Sequence, residues 1–203
     1  MRKRITIEQM GLFEGLTPGR MGKDARYANR GMDLERMIEY ANRRYAARGE
    51  AIIQKIHTKI LPIRDGQGKI VTVRYDKSTV DYMGRMGNRP IAFEAKRGEG
   101  KRLDLGRILP QQLEFLQAWG EDIGFVLIAL EGCEAAWVVP TPFILGAVAA
   151  RQAGGPRRVS WRGMGWTATG LASIREADMM EAWRVPIGPG GIEYLSAVRR
   201  IWG

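Results

Sequence analysis

The sequence predicts an α/β protein: a mixed β-sheet packed by helices, with one basic projection. Three observations lead there. Helical and strand-like patterns alternate along the 203 residues, as they do where helices layer onto a sheet. Residues 124–130 are almost continuously apolar, which suits a central strand covered on both faces. Two strand-like stretches flank the turn signal Asp65-Gly66-Gln67-Gly68 and carry Lys and Arg at close intervals, the pattern of a hairpin that projects into solvent.

Residues 1–29 read as a basic, flexible arm, with Gly11, Gly15, Pro18, Gly19 and Gly22 among scattered Arg and Lys. Such an arm suits non-specific phosphate contact, and equally a terminus with no task. Residues 30–203 read as a single domain. Over 31–48 the residues Leu34, Ile38, Ala41 and Tyr45 recur at helical spacing, with Asp33 near the N-cap and Gly49 past the end. Glu35 and Glu39 flank that stripe. Residues 51–60 and 69–75 are β-rich. Together they make a projection over about 55–77 that bears Lys55, Lys59, Arg64, Lys69, Arg74 and Lys77. These cations suit entry into a negatively charged groove, and equally an edge guarded against other strands.

A short segment, 78–84, leads into a Gly- and Asn-rich turn over 84–90. The strand 91–96 follows, with Ile91, Phe93 and Ala95 on one face and Ala92, Glu94 and Lys96 on the other. A helix is expected over 108–119 and strands over 124–130 and 135–139. Thr141 is placed as the cap of the next helix, with Pro142 at its first position, and Gly154-Gly155-Pro156 breaks it. Ser173 to Glu176 has the spacing of a capping box. A last helix carries Ile192, Leu195, Val198 and Trp202 on one face. Trp161 and Trp166, in a stretch without a clear pattern, read as packing residues rather than base-stacking platforms.

Lys and Arg number 32 against 22 acidic residues, a net charge of +10. That field favours a polyanion. Nucleic acid is the usual one, and nothing resembles the basic amphipathic helix that an anionic membrane would call for. No apolar stretch is long enough to span a bilayer, and none follows Met1-Arg2-Lys3-Arg4, so neither membrane insertion nor a secretory signal is expected. The single cysteine, Cys133, excludes an internal disulfide and a Cys-based metal site. A reducing cytoplasm fits, with Cys133 as a core residue. The single histidine, His57, reads as structural; a poly-His zinc site or a Ser-His-Asp triad would have nothing else to build on.

Hydrolysis of a phosphodiester needs an activated water, relief of the charge growing on the phosphorus oxygens, and help for the leaving oxygen. A divalent cation held by carboxylates does much of this, and a nearby lysine adds to it. Two residues spaced i, i+2 on a strand share a face, so Glu94 and Lys96 lie together; Asp81 comes thirteen residues before Glu94, across a turn. Asp81 and Glu94 can share a metal, with the Ala95 carbonyl as a further oxygen and Lys96 facing the attacking water. A charged surface strand produces the same spacing without chemistry.

Asp81 followed by Phe93-Glu94-Ala95-Lys96 resembles the PD-(D/E)xK motif of restriction-endonuclease-like nucleases. More narrowly, the chain is similar to the RecU-type Holliday junction resolvases. The similarity runs from Asn29-Arg30-Gly31-Met32, through Leu34-Glu35, Asn42 and Tyr45, then Ser78-Thr79, Asp81-Tyr82, Gly84, the Phe93–Lys96 run and Gln112-Leu113-Glu114, to the final helix. It implies a restriction-endonuclease-like mixed β-sheet flanked by helices, a protruding stalk at the basic hairpin, and a homodimer. It also implies paired symmetric nicks in four-way junction DNA, in recombination and repair. Asp81 and Glu94 become metal ligands and Lys96 the catalytic lysine. Glu35 and Gln112 join the active site, with Mg2+ the cofactor and Mn2+ a substitute. Thr79 and Arg30 join the stalk cations as DNA contacts. Val80 stands where these proteins often carry a second Thr, and the stalk is shorter than usual. Two rivals remain: the same active site turned on other branched or duplex DNA, and a non-catalytic DNA-binding protein.

Overall fold

Phe125, Val126, Leu127 and Ile128 are fully buried, and the strand that carries them lies in the middle of the sheet, as the apolar run predicts. The structure is a computed structural model. It describes residues 34–57, 59–76, 79–120, 122–188 and 191–203, with backbone alone for 59–64 and 70–76. The N-terminal arm, Arg30, Asp33, Lys77 and Ser78 therefore lie outside the described residues, as do the side chains of Lys59, Arg64 and Arg74.

The first strands are β1 (Ala51–Lys55), β2 (Lys59–Arg64), β3 (Ile70–Asp76), β4 (Tyr82–Met86), β5 (Arg89–Gly98) and β6 (Arg102–Asp104). Then come β7 (Ile123–Leu130), β8 (Ala135–Pro140), β9 (Arg157–Trp161), β10 (Met164–Ala168), β11 (Ser173–Arg175), β12 (Arg184–Gly188) and β13 (Gly191–Ile192). The helices are α1 (Leu34–Ala47), α2 (Pro110–Ala118), α3 (Thr141–Gln152) and α4 (Tyr194–Trp202). Seven strands form one sheet in the order β1-β4-β5-β7-β8-β12-β13. Only β5 and β7 run parallel within it; the other neighbours are antiparallel. This is the restriction-endonuclease-like mixed sheet flanked by helices that the sequence analysis expects.

Alternation along β5 sorts the two faces. Tyr82, Phe93 and Phe125 are cross-strand partners on β4, β5 and β7. Their rings stack with centroids 4.8 and 4.7 Å apart. Tyr194 and Trp202 of α4 and, through Tyr194, Tyr45 of α1 close over that face. The opposite face, with Glu94, receives α2 and the start of α3. Gly124 is flat there because a Cβ would sit 3.2 Å from Thr141 Oγ1.

The expected hairpin forms a two-stranded sheet of its own, β2 against β3. Its base differs from the expectation. One strand over 51–60 is in fact two, because β1 pairs with β4 in the main sheet and ends at Lys55, while β2 starts at Lys59 and pairs only with β3. The apolar character continues across the break through Ile56 and Ile60, which hides it in the sequence. Lys55 thus belongs to the main sheet, and the hairpin spans 59–76.

Other boundaries move for identifiable reasons. Residues 82–86 pair as β4, so the turn contracts to Gly87-Asn88, with Gly87 at φ +58, the glycine-first turn that suits antiparallel twist. The 108–119 helix starts at Pro110, behind a 3-10 turn over Leu105–Arg107. Thr141 is the first residue of α3 rather than its cap, which is Pro140. Ser173 pairs with Asp104 in β11, so no box forms on it. Asp178 instead accepts hydrogen bonds from the backbone and guanidinium of Arg175. Ile192 lies in β13, before α4. The unpatterned 154–170 stretch is a hairpin, β9–β10, turning on Arg162-Gly163. Trp166 is buried, and Trp161 packs edge-on to Trp202 with centroids 5.4 Å apart, so both tryptophans pack.

Candidate active site

The β4–β5 ladder runs up to the pair Tyr82–Phe93. One position further on, side chains take over the hydrogen bonding. The backbone N–H of Asp81 donates to Glu94 Oε2 at 3.1 Å, and the N–H of Ala95 donates to Asp81 Oδ2 at 3.0 Å. The two carboxylates are thus clasped to each other's strands. On its other side the Asp81 carbonyl accepts from Ile56 N–H at 2.8 Å, which extends the β1–β4 pairing by one bond. Asp81 is held through backbone and side chain together.

Glu94 is 1% exposed. Its second oxygen, Oε1, accepts from Gln112 Nε2 at 2.6 Å and from Lys96 Nζ at 2.7 Å. Gln112 is itself fixed because its Oε1 accepts the N–H of Leu109, at the start of α2, at 2.9 Å. A helix N-terminus thereby orients an amide toward the buried carboxylate. Burial pushes the Glu94 carboxyl up to about 7, and the nearby charge of Asp81 adds to the rise, while Lys96 opposes it.

Glu35, on α1, reaches the site through a cation. Its Oε2 accepts from Lys55 Nζ at 2.5 Å, and Glu39 Oε1 lies 3.9 Å from the same ammonium. The Lys55 ammonium is held above its usual range by the Glu35 hydrogen bond first, with the charges of Glu35, Glu39 and Asp81 adding. Lys55 is therefore a rim residue of this cluster rather than part of the hairpin. Sequence reasoning places it on the projection and leaves Glu39 out. The helical spacing of Glu35 and Glu39 is the one signal that both would face the same neighbour.

The structure brings Asp81, Glu94, Lys96 and Gln112 together and sets Glu35 beside them through Lys55. Thr79 is exposed just before this cluster, behind the buried Val80. Lys69 is exposed at the hairpin turn, away from the carboxylate pair along the chain. His57 is exposed next to the hairpin base, and half-buried Cys133 lies in the turn between β7 and β8. Among the described residues no group of three or more His, Cys, Asp or Glu side chains gathers as a metal cage. The residues that could hold a cation are the Asp81–Glu94 pair. It fits a hard divalent cation on its chemistry: two oxygen donors whose mutual repulsion and burial leave them short of positive charge.

No helix among the described residues is long and apolar enough to cross a membrane. A family model described as RecU, recombination protein U, matches residues 29–171. The Holliday junction resolvase RecU of Streptococcus sanguinis (strain SK36) is 31% identical over 128 residues, 59% of this chain and 64% of that protein. Its namesake in Streptococcus pneumoniae (strain Hungary19A-6) is 32% identical over 123 residues, 56% of this chain and 62% of that protein. The chain thus spans a little under two thirds of these streptococcal relatives. The namesake in Lactobacillus delbrueckii subsp. bulgaricus (strain ATCC BAA-365 / Lb-18) matches more widely: 29% identity over 191 residues, 88% of this chain and 83% of that protein.

Proposed function

The chain belongs to the RecU family, and from that premise we propose that it is a metal-dependent endonuclease that resolves four-way DNA junctions by paired, symmetric nicks. It acts as a homodimer, in the cytoplasm, in recombination and repair. The observation that carries this reading is the clasped carboxylate pair, Asp81 and Glu94, with Lys96 2.7 Å from Glu94 Oε1.

Asp81 and Glu94 would hold the cation, Mg2+ by preference for an all-oxygen site, with Mn2+ able to replace it. When bound, it supplies Lewis-acid polarisation of the scissile phosphate and a more acidic water. The protein's own groups do the rest. Ala95 N–H and Ile56 N–H fix Asp81, and Gln112 and Lys96 fix Glu94, so neither carboxylate must reorganise as substrate arrives. The Lys96 ammonium faces the negative charge that grows on the phosphate oxygens. Lys55, Thr79 and Lys69, with Arg30, Lys59, Arg64, Arg74 and Lys77, supply phosphate contacts that carry no base information. The β2–β3 hairpin is the stalk that enters the open centre of the junction. Two subunits related by a two-fold axis present two such sites to opposing strands.

The test is a labelled four-way junction and a linear duplex of matched sequence, each with and without Mg2+. Paired nicks confined to the junction are expected. Lys96→Ala should slow them by roughly 10²–10³-fold, and Asp81→Asn should abolish them. Equal cutting of the linear duplex would point to a general nuclease. Tight junction binding without cutting in either metal would leave a structural DNA binder.

A further inference from the structure

No acidic residue lies between Glu134 and Glu176, while Arg151, Arg157, Arg158 and Arg162 all fall in that interval. The structure gathers these arginines on α3 and the β9–β10 hairpin. The inner face of the hairpin is fixed to the body. Val159 fits against Gly146 of α3, where a Cβ would come within 2.1 Å of its Cγ2. Trp161 and Trp166 meet Phe143 edge-on, with centroids 6.2 and 6.1 Å away.

The outer face is different. Register places Arg158 opposite Thr167 and Ser160 opposite Gly165, and all four are exposed. The Arg158 guanidinium lies over Gly165, with Nη2 3.4 Å from where a Cβ would be. Arg151, in the last turn of α3, and Arg157, at the start of β9 with the parity of Val159, are exposed as well. Five arginines elsewhere are matched: Arg44 and Arg48 with Glu193, Arg199 with Glu50, Arg107 with Glu99, Arg175 with Asp178. Among the described residues, no carboxylate forms an ion pair with Arg151, Arg157 or Arg158. A two-stranded ribbon with guanidinium and hydroxyl groups outward, and no acidic residue in its own strands, fits phosphodiester oxygens.

Position supports the same reading. The hairpin packs on α3, and α3 packs on α2, the helix that delivers Gln112 to Glu94. We infer that the outer face of β9–β10, with Arg151 at the end of α3, is a second DNA-backbone surface, distinct from the stalk, that grips a duplex arm through its phosphates. The inference rests on the proposed action on DNA.

The test compares the wild type with a triple variant, Arg151→Gln, Arg157→Gln and Arg158→Gln. Binding to a labelled four-way junction and to linear duplex is measured by fluorescence polarisation across a salt series. The triple variant should bind both DNAs about tenfold or more weakly. The slope of log affinity against log salt should fall by about 0.9 for each phosphate that is no longer neutralised. The matching triple with lysine at the three positions should keep the wild-type slope, and tryptophan fluorescence reports whether the hairpin stays packed. If the packed glutamine variant keeps both affinity and slope while the wild type binds, this surface does not touch DNA, although the nuclease reading stands. Should the glutamine triple lose hairpin packing, the single variant Arg158→Glu at the exposed ribbon face decides: weaker binding to both DNAs supports the assignment, and unchanged affinity and slope overturn it. A wild type that binds neither DNA overturns both.

Discussion

Asp81 and Glu94 form a carboxylate pair that the fold keeps together against repulsion, and that has a consequence for pH. A carboxyl held above its ordinary value binds its proton more tightly in the folded chain than in the unfolded one. The stabilisation this gives is complete below the ordinary value of 4.5 and is lost as pH rises through about 7. Without divalent cation, thermal stability should therefore decline across that window. A cation needs the ionised pair, so Mg2+ should raise the melting temperature more at about pH 8 than at about pH 5.5. An equal rise at both would show that Glu94 does not hold it. In Asp81→Asn the second cause of the upward shift is gone, so the decline should end at lower pH. Much of this pair was legible: alternation alone put Glu94 and Lys96 on one face of a strand. The clasp was not, because it depends on the ladder stopping at Tyr82–Phe93. Neither was the place of Lys55, whose partners Glu35 and Glu39 come from a helix that only the tertiary fold lays beside it.

Among the elements, β1 carries more than its length suggests. It is the strand from which Lys55 reaches Glu35 and whose continuation, Ile56, holds the Asp81 carbonyl. It lies close to β4 only because Gly84 has no side chain: a Cβ there would be 2.0 Å from the Ile52 carbonyl oxygen. Gly84→Val should push β1 outward, lowering stability by roughly 1–3 kcal/mol and weakening cleavage more than DNA binding. Denaturant unfolding and nicking assays read the two effects, and an unaltered unfolding midpoint would show that β1 accommodates the change. Elements with regular chemistry were readable, such as the apolar β7 and the helical stripe of α1. The β9–β10 hairpin was not. Its turn residues, Arg162 at φ +48 and Gly163 at φ +75, adopt a conformation that usually calls for Asn or Asp at the first position. Arginine gives no such signal. Ser173 misled in the opposite way, because a capping-box spacing was overridden when β6 paired with it.

At the scale of the molecule, the chain carries a net charge of +10, while the Glu94 carboxylate is drawn inward beside Asp81. The fold class was readable because helix and strand periods alternate cleanly, and the projection because its cations and its turn coincide. Its exact root was not, since the apolar residues continue across it. Replacing 59–76 by a short turn should leave the seven-stranded sheet folded, with little change in melting temperature. It should also reduce the preference for a four-way junction over linear duplex. A truncated chain that still prefers the junction would place recognition elsewhere.

The hairpin that β2 and β3 form shares no ladder with the seven-stranded sheet. Such an appendage is modular. Its length and charge can change while the packing around Phe93 and Phe125 stays as it is, so on the proposed function the gauge that chooses a substrate can drift while the blade that cuts it stays the same.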